Sequence, residues 1–122
     1  MIWSVVLPGQ PWSGNHMYER NRGNAGQHKK PEVEAYQTGV TLLVREARPS
    51  FWRPEGQIIV RYWFHLKRDV DCTNAIKVIE DAIATALRPE DRFYDRRFLP
   101  RAEAKVTGVK EPYVLIELED IT

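Results

Sequence analysis

The sequence predicts an α+β domain in which two amphipathic helices cover a small mixed or antiparallel sheet of about four strands. Three observations lead there. Two segments carry apolar residues at helical spacing, four short segments are β-branched and aromatic or alternate with period two, and the two kinds are interleaved along the chain. The expected order is β-loop-α-β-α-β-β, with no repeat, linker or low-complexity tract inside residues 1–122. A chain of 122 residues is one domain, long enough to bury a core without staples.

Each element has its own warrant. "IWSVVL" (2–7) reads as a strand ended by Pro8 and Pro11. Residues 12–30 are polar and rich in Gly, Asn, Arg and Lys, with no apolar period, and a connection of that length is usually functional or mobile. Pro31 suits a first helical turn, and Glu32 and Glu34 suit a helix N-terminus. Val33, Tyr36, Val40, Leu43, Val44 and Ala47 then fall at helical spacing, so a helix is expected over 31–47, ended by Pro49. "QIIVRYWFHL" (57–66) alternates, with Val60, Tyr62, Phe64 and Leu66 on one face and Arg61, Trp63 and His65 on the other. Ile76, Ile79, Ile83 and Ala86 or Leu87 mark a second helix, with Thr73 or Asn74 at the expected N-cap and Pro89 beyond its end. Residues 100–107 and 112–119 read as the last strands, with Gly108 in the turn between them.

Charge and composition bound the function. The single cysteine, Cys72, excludes an intrachain disulfide, and without a partner His–Asp pair it reads as a small filler. No run approaches the roughly 18 apolar residues of a membrane span, and the first apolar run lacks a basic leader. A soluble, cytoplasmic protein is therefore expected. The net charge is +1, but residues 111–122 hold four acidic and no basic residues, leaving 18 basic against 13 acidic elsewhere. The basic residues come in pairs or near-pairs: Arg20/Arg22, Lys29/Lys30, Lys67/Arg68 and Arg96/Arg97. Such a surface permits a polyanionic partner, and on charge alone ordinary solvated surface charge is the better account.

The most specific stretch is "RDVDCTNAIKVIEDA" (68–82). In extended backbone Asp69 and Asp71 share a face, just beyond the strand that ends near Leu66. On the following helix Asn74, Lys77 and Asp81 share a flank off the apolar stripe. Paired carboxylates facing a lysine and an amide fit a Mg²⁺ and phosphate site, since Mg²⁺ takes one or two carboxylates and retains several waters. An Asp-rich helix entry, capping the N-terminus and offsetting the dipole, is the structural alternative. A second acidic cluster, Glu90, Asp91 and Asp95, follows the helix and could fold back over the first. Phosphate-loop, dinucleotide and zinc-protease motifs are absent, and His16, His28 and His65 are too scattered for zinc.

Three segments together resemble the RusA-type Holliday junction resolvases, small endodeoxyribonucleases common in bacteriophages and prophages. They are "LPGQPWSGNHMYERNRG" (7–23), the 68–82 stretch and "YDRRFLPRAEAK" (94–105), in the family's order over nearly the whole chain. The resemblance implies an α+β fold, an intertwined homodimer, and Mg²⁺-dependent cleavage of branched DNA. It implies Asp69, Asp71 and Asp95 as metal ligands, with Asp91 an alternative to Asp95, and Lys77 as the catalytic cation. Asn15, Tyr18, Arg20, Arg22, Lys29 and Lys30 would meet DNA, joined by Asn74, Arg96 and Arg97. Two departures stand out. The family places Asn directly after the second Asp, whereas Cys72 and Thr73 intervene here, and Tyr94 stands where the family often has a first Asp of a pair.

Overall fold

Alternation in the first strand, β1 (Ile2–Pro8), buries Trp3, Val5 and Leu7 and exposes Ile2, Ser4 and Val6. The computed structural model describes residues 1–13, 18–20, 27–52, 54–87 and 97–121, with the side chains of 18–20 and 27 outside that description. After β1 come two short strands, β2 (Tyr18–Arg20) and β3 (Gln27–Lys29), then helix α1 (Pro31–Ala47) and strand β4 (Ile58–His65). Helix α2 (Cys72–Leu87) and strands β5 (Phe98–Val106) and β6 (Tyr113–Asp120) complete the chain. The expected α+β architecture is present, as a four-stranded mixed sheet of order β1-β6-β4-β5 with two helices.

Two features go beyond the sequence reading. The 12–30 connection contains a two-stranded antiparallel ribbon, with Tyr18 opposite Lys29 and Arg20 opposite Gln27. Three-residue strands leave no alternation for a periodicity argument to detect. In addition, the structure supplies a strand order that the sequence does not give: β4 lies between β5 and β6, parallel to β5 and antiparallel to β6. The β4-α2-β5 segment is therefore a parallel crossover unit. The 107–112 connection turns at Gly108, whose φ of +81° suits glycine.

One face of the sheet carries the core. Val60, Tyr62 and Phe64 of β4, Val114, Ile116 and Leu118 of β6, and the β1 residues meet Val40 and Val44 of α1 and Ile79 and Ile83 of α2. The helices are also tied by polar contacts that periodicity does not reveal. Gln37 donates to the Val78 carbonyl at 2.9 Å, Thr41 to Ala82 at 3.2 Å, and Arg45 to Ala86 at 3.4 Å and Thr85 at 3.3 Å. Arg45 thereby satisfies carbonyls in the last turn of α2, where a cation also suits the helix dipole. Glu80 faces inward because it accepts from the buried Tyr62 hydroxyl at 2.9 Å. Among the described residues no helix covers the opposite sheet face, and its centre holds Arg61 between Glu117 at 2.9 Å and Glu119 at 2.7 Å.

Candidate functional site

Because β4 and β5 are parallel and α2 returns between them, the unit has two distinct ends. Ile58 pairs with Phe98 at one end and His65 with Val106 at the other, roughly 23 Å away at about 3.3 Å per residue. Asp69 and Asp71 lie beyond the His65 end, in the short segment between β4 and α2. Leu66 fixes the start of that segment, donating to Val106 O at 2.7 Å and accepting from Val109 N at 3.0 Å.

Gln10 holds the next residues. Its side-chain oxygen accepts from Lys67 N at 2.8 Å and its amide donates to Arg68 O at 2.9 Å, a two-point clamp across distant parts of the chain. Gly9 lets the chain reach this position: its φ is +95°, and its N–H donates to Pro112 O at 2.9 Å. Residues 10–13 and 68–71, with Lys30, enclose an open cavity of about 600 Å³. Asp69, Asp71, Arg68 and Lys30 supply charge to its walls, and Trp12 an aromatic face with the Lys30 ammonium 6.0 Å from its centroid.

The two carboxylates differ in what holds them. Asp71 is the N-cap of α2, replacing the expected Thr73 or Asn74. Its Oδ1 accepts from Thr73 N at 3.0 Å, its Oδ2 from the Asn74 amide at 3.2 Å, and its carbonyl from Ala75 N at 3.0 Å. The helix thus begins immediately after the second aspartate, and Cys72 and Thr73 form its first turn. Asp69 instead pairs with Lys105 of β5. The hydrogen bond from Lys105, reinforced by its charge, lowers the Asp69 carboxyl pKa below its ordinary value. The Lys105 ammonium is correspondingly raised, first by the same hydrogen bond. Cys72 packs against the core, and burial raises its thiol pKa.

The remaining expected site residues are dispersed. Lys77 does not line the cavity of the paired aspartates. It borders a second depression of about 460 Å³ between α2 and β5, with Thr73, Glu80, Phe98 and Pro100. Lys29 donates to Gln37 at 2.8 Å, anchoring the ribbon to α1, whereas Lys30 faces the cavity. Tyr18 and Arg20 belong to β2, while Asn15 and Arg22 lie outside the described residues. Asp91, Asp95 and Arg96 also lie outside them. Leu87 and Arg97, which flank that segment, stand at the Ile58 end, opposite the aspartate pair. Arg97 donates to Gly56 O at 2.8 and 3.1 Å and to Pro54 O at 2.8 Å. Among the described residues no three His, Cys, Asp or Glu side chains come together as a metal-holding group.

Sequence reasoning missed Gln10, Arg68 and Lys105 as parts of this site. Gln10 and Lys105 belong to remote strands or loops, so nothing within 68–82 points to them. No family model matches the chain, and no curated protein does. Among the described residues, no helix is long and apolar enough to cross a membrane.

Proposed function

We propose that the chain is a Mg²⁺-dependent endodeoxyribonuclease acting on branched DNA, of the RusA resolvase type, working as a cytoplasmic homodimer. The observation that carries this reading is the cavity in which Asp69 and Asp71 stand beside Lys30, Arg68 and Trp12. That combination offers oxygen donors for a hard dication, cations for a phosphate backbone, and a ring face for an unstacked base. The donor set fits Mg²⁺: two exposed carboxylates suffice when waters and substrate phosphate complete the octahedron. Bound between Asp69 and Asp71, the ion would supply the positive charge and Lewis acidity that phosphodiester hydrolysis requires.

The residues around it have separable tasks. Gln10 orients the backbone of the aspartate segment, Asn74 orients the Asp71 carboxylate, and Lys30 and Arg68 draw the phosphate backbone into the cavity. Because the flanks of their segment stand at the far end of the unit, Asp95 or Asp91 would supply a third carboxylate from the partner protomer, and Lys77 meets DNA outside the cavity rather than at the reacting phosphate. Symmetric strand cleavage needs two equivalent sites, which a two-fold dimer provides.

A second reading is a DNA-binding protein of the same fold that does not cut. It is favoured by Asp71, both of whose carboxylate oxygens already accept hydrogen bonds from the first turn of α2, one from the Thr73 backbone and one from the Asn74 side chain. A synthetic four-way junction assayed with and without Mg²⁺ separates the two. Wild type is expected to nick two opposing strands only with the dication, and Asp71→Asn, which retains a capping side chain, to bind without cutting. Binding without any product from the wild type would sink the nuclease reading.

A further inference from the structure

Strict alternation along β5 places Phe98, Pro100 and Ala102 on the helix-covered face, opposite Ile58, Val60 and Tyr62. Continued unchanged, it would place Ala104 there and turn Lys105 to the open face. The register shifts instead between Tyr62 and Trp63: Ala102 pairs with Tyr62, Ala104 with Trp63, and Glu103 is the extra residue. This bulge turns Lys105 onto the helix-covered face opposite Phe64, where its ammonium meets Asp69. Re-aiming one side chain is what a bulge does. Lys105 is a half-exposed edge-strand residue, and the partner it reaches belongs to the proposed dication site.

We infer that Lys105 is a built-in counter-ion, held by the β5 bulge, that occupies the Asp69 carboxylate until a divalent cation displaces it. The inference rests on the metal reading above and deepens it. A monocation on Asp69 relieves repulsion between Asp69 and Asp71 in the empty site and competes with the dication for the same oxygens. Lys105 is thus a positioning residue that sets metal affinity, and the ammonium released on displacement stays beside the cavity as a phosphate contact. Lys77, the cation expected from sequence, borders the other depression.

The test is Mn²⁺ binding to the full chain without DNA, by calorimetry, for the wild type and four variants. Lys105→Met retains the aliphatic stem and removes the charge. The double variant Ala104→Lys/Lys105→Ala moves the ammonium to the opposite sheet face at constant net charge. Lys105→Arg retains a cation in place, and Asp71→Asn serves as the site control. Lys105→Met and the double variant should both bind Mn²⁺ roughly three- to ten-fold more tightly than wild type, the scale of one exposed charge contact. Lys105→Arg should stay within about two-fold of wild type, and Asp71→Asn should bind far more weakly. Tighter binding by Lys105→Met alone would reduce the effect to net charge and overturn the inference. Unchanged or weaker binding in both charge-displaced variants would overturn it while leaving the metal reading intact. A wild type that takes up no Mn²⁺, or binds it no better than Asp71→Asn, would remove the metal reading and the inference together. Circular dichroism melts identify any variant that fails to fold, in which case Lys105→Gln replaces Lys105→Met.

Discussion

The two ends of the β4-α2-β5 unit use basic residues in opposite ways. At the Ile58 end Arg97 gives three hydrogen bonds to the carbonyls of Pro54 and Gly56, and its charge serves the fold. At the His65 end the loop backbone is clamped by the neutral Gln10, leaving Lys30 and Arg68 on the cavity wall. Cations adjacent in sequence divide in the same manner: Lys29 is tied to Gln37 while Lys30 faces the cavity. Proximity of basic residues in a sequence therefore says little about which can meet a polyanion. What decides is whether the backbone around each already has other donors.

Four substitutions break or sharpen this contrast. The largest effect is expected from Arg97→Ala, which strips three charge-assisted bonds from half-buried carbonyls. Urea denaturation should show a loss of roughly 2–3 kcal/mol, with junction affinity of the folded fraction unchanged. A weaker affinity at full folding would move Arg97 into the DNA footprint and erase the difference between the ends. Gln10→Ala comes next, at about 1 kcal/mol of stability. Its diagnostic is local: amide exchange at Lys67 and Val70 should accelerate while that of β4 stays slow. Uniform acceleration would instead make Gln10 part of the general scaffold. The smallest effect separates the lysines. Lys30→Ala should reduce the dependence of log K on log salt by about 0.9, one phosphate contact, whereas Lys29→Ala should leave that slope unchanged and lower stability. Equal slope changes would show that the tie to Gln37 does not hold Lys29 away from DNA.

Legibility from sequence followed the range of the interactions. Helix 31–47 and the buried face of β4 were readable because burial repeats with the period of the element, at Val40 and Val44 or at Tyr62 and Phe64. The clustering of Asp69 and Asp71 at one cavity was readable because two residues of extended chain determine it. The N-cap was misassigned to Thr73 or Asn74 because all three residues cap well and only the observed hydrogen bonds choose Asp71. Lys105 was not readable, since one extra residue at Glu103 reverses the face of all that follows. Strand order escaped for a related reason: β5 and β6 alternate alike whether or not β4 separates them.

The three donors that α1 extends to α2 have a mechanical consequence. Gln37, Thr41 and Arg45 sit four residues apart and engage Val78, Ala82 and the Thr85–Ala86 turn, like teeth on a rack. Sliding α2 along its axis by half a turn, about 2.7 Å, would unmesh every tooth at once. The helix tip bearing Asp71 is therefore fixed in depth, and any adjustment to a ligand must come from side chains and from residues 67–70.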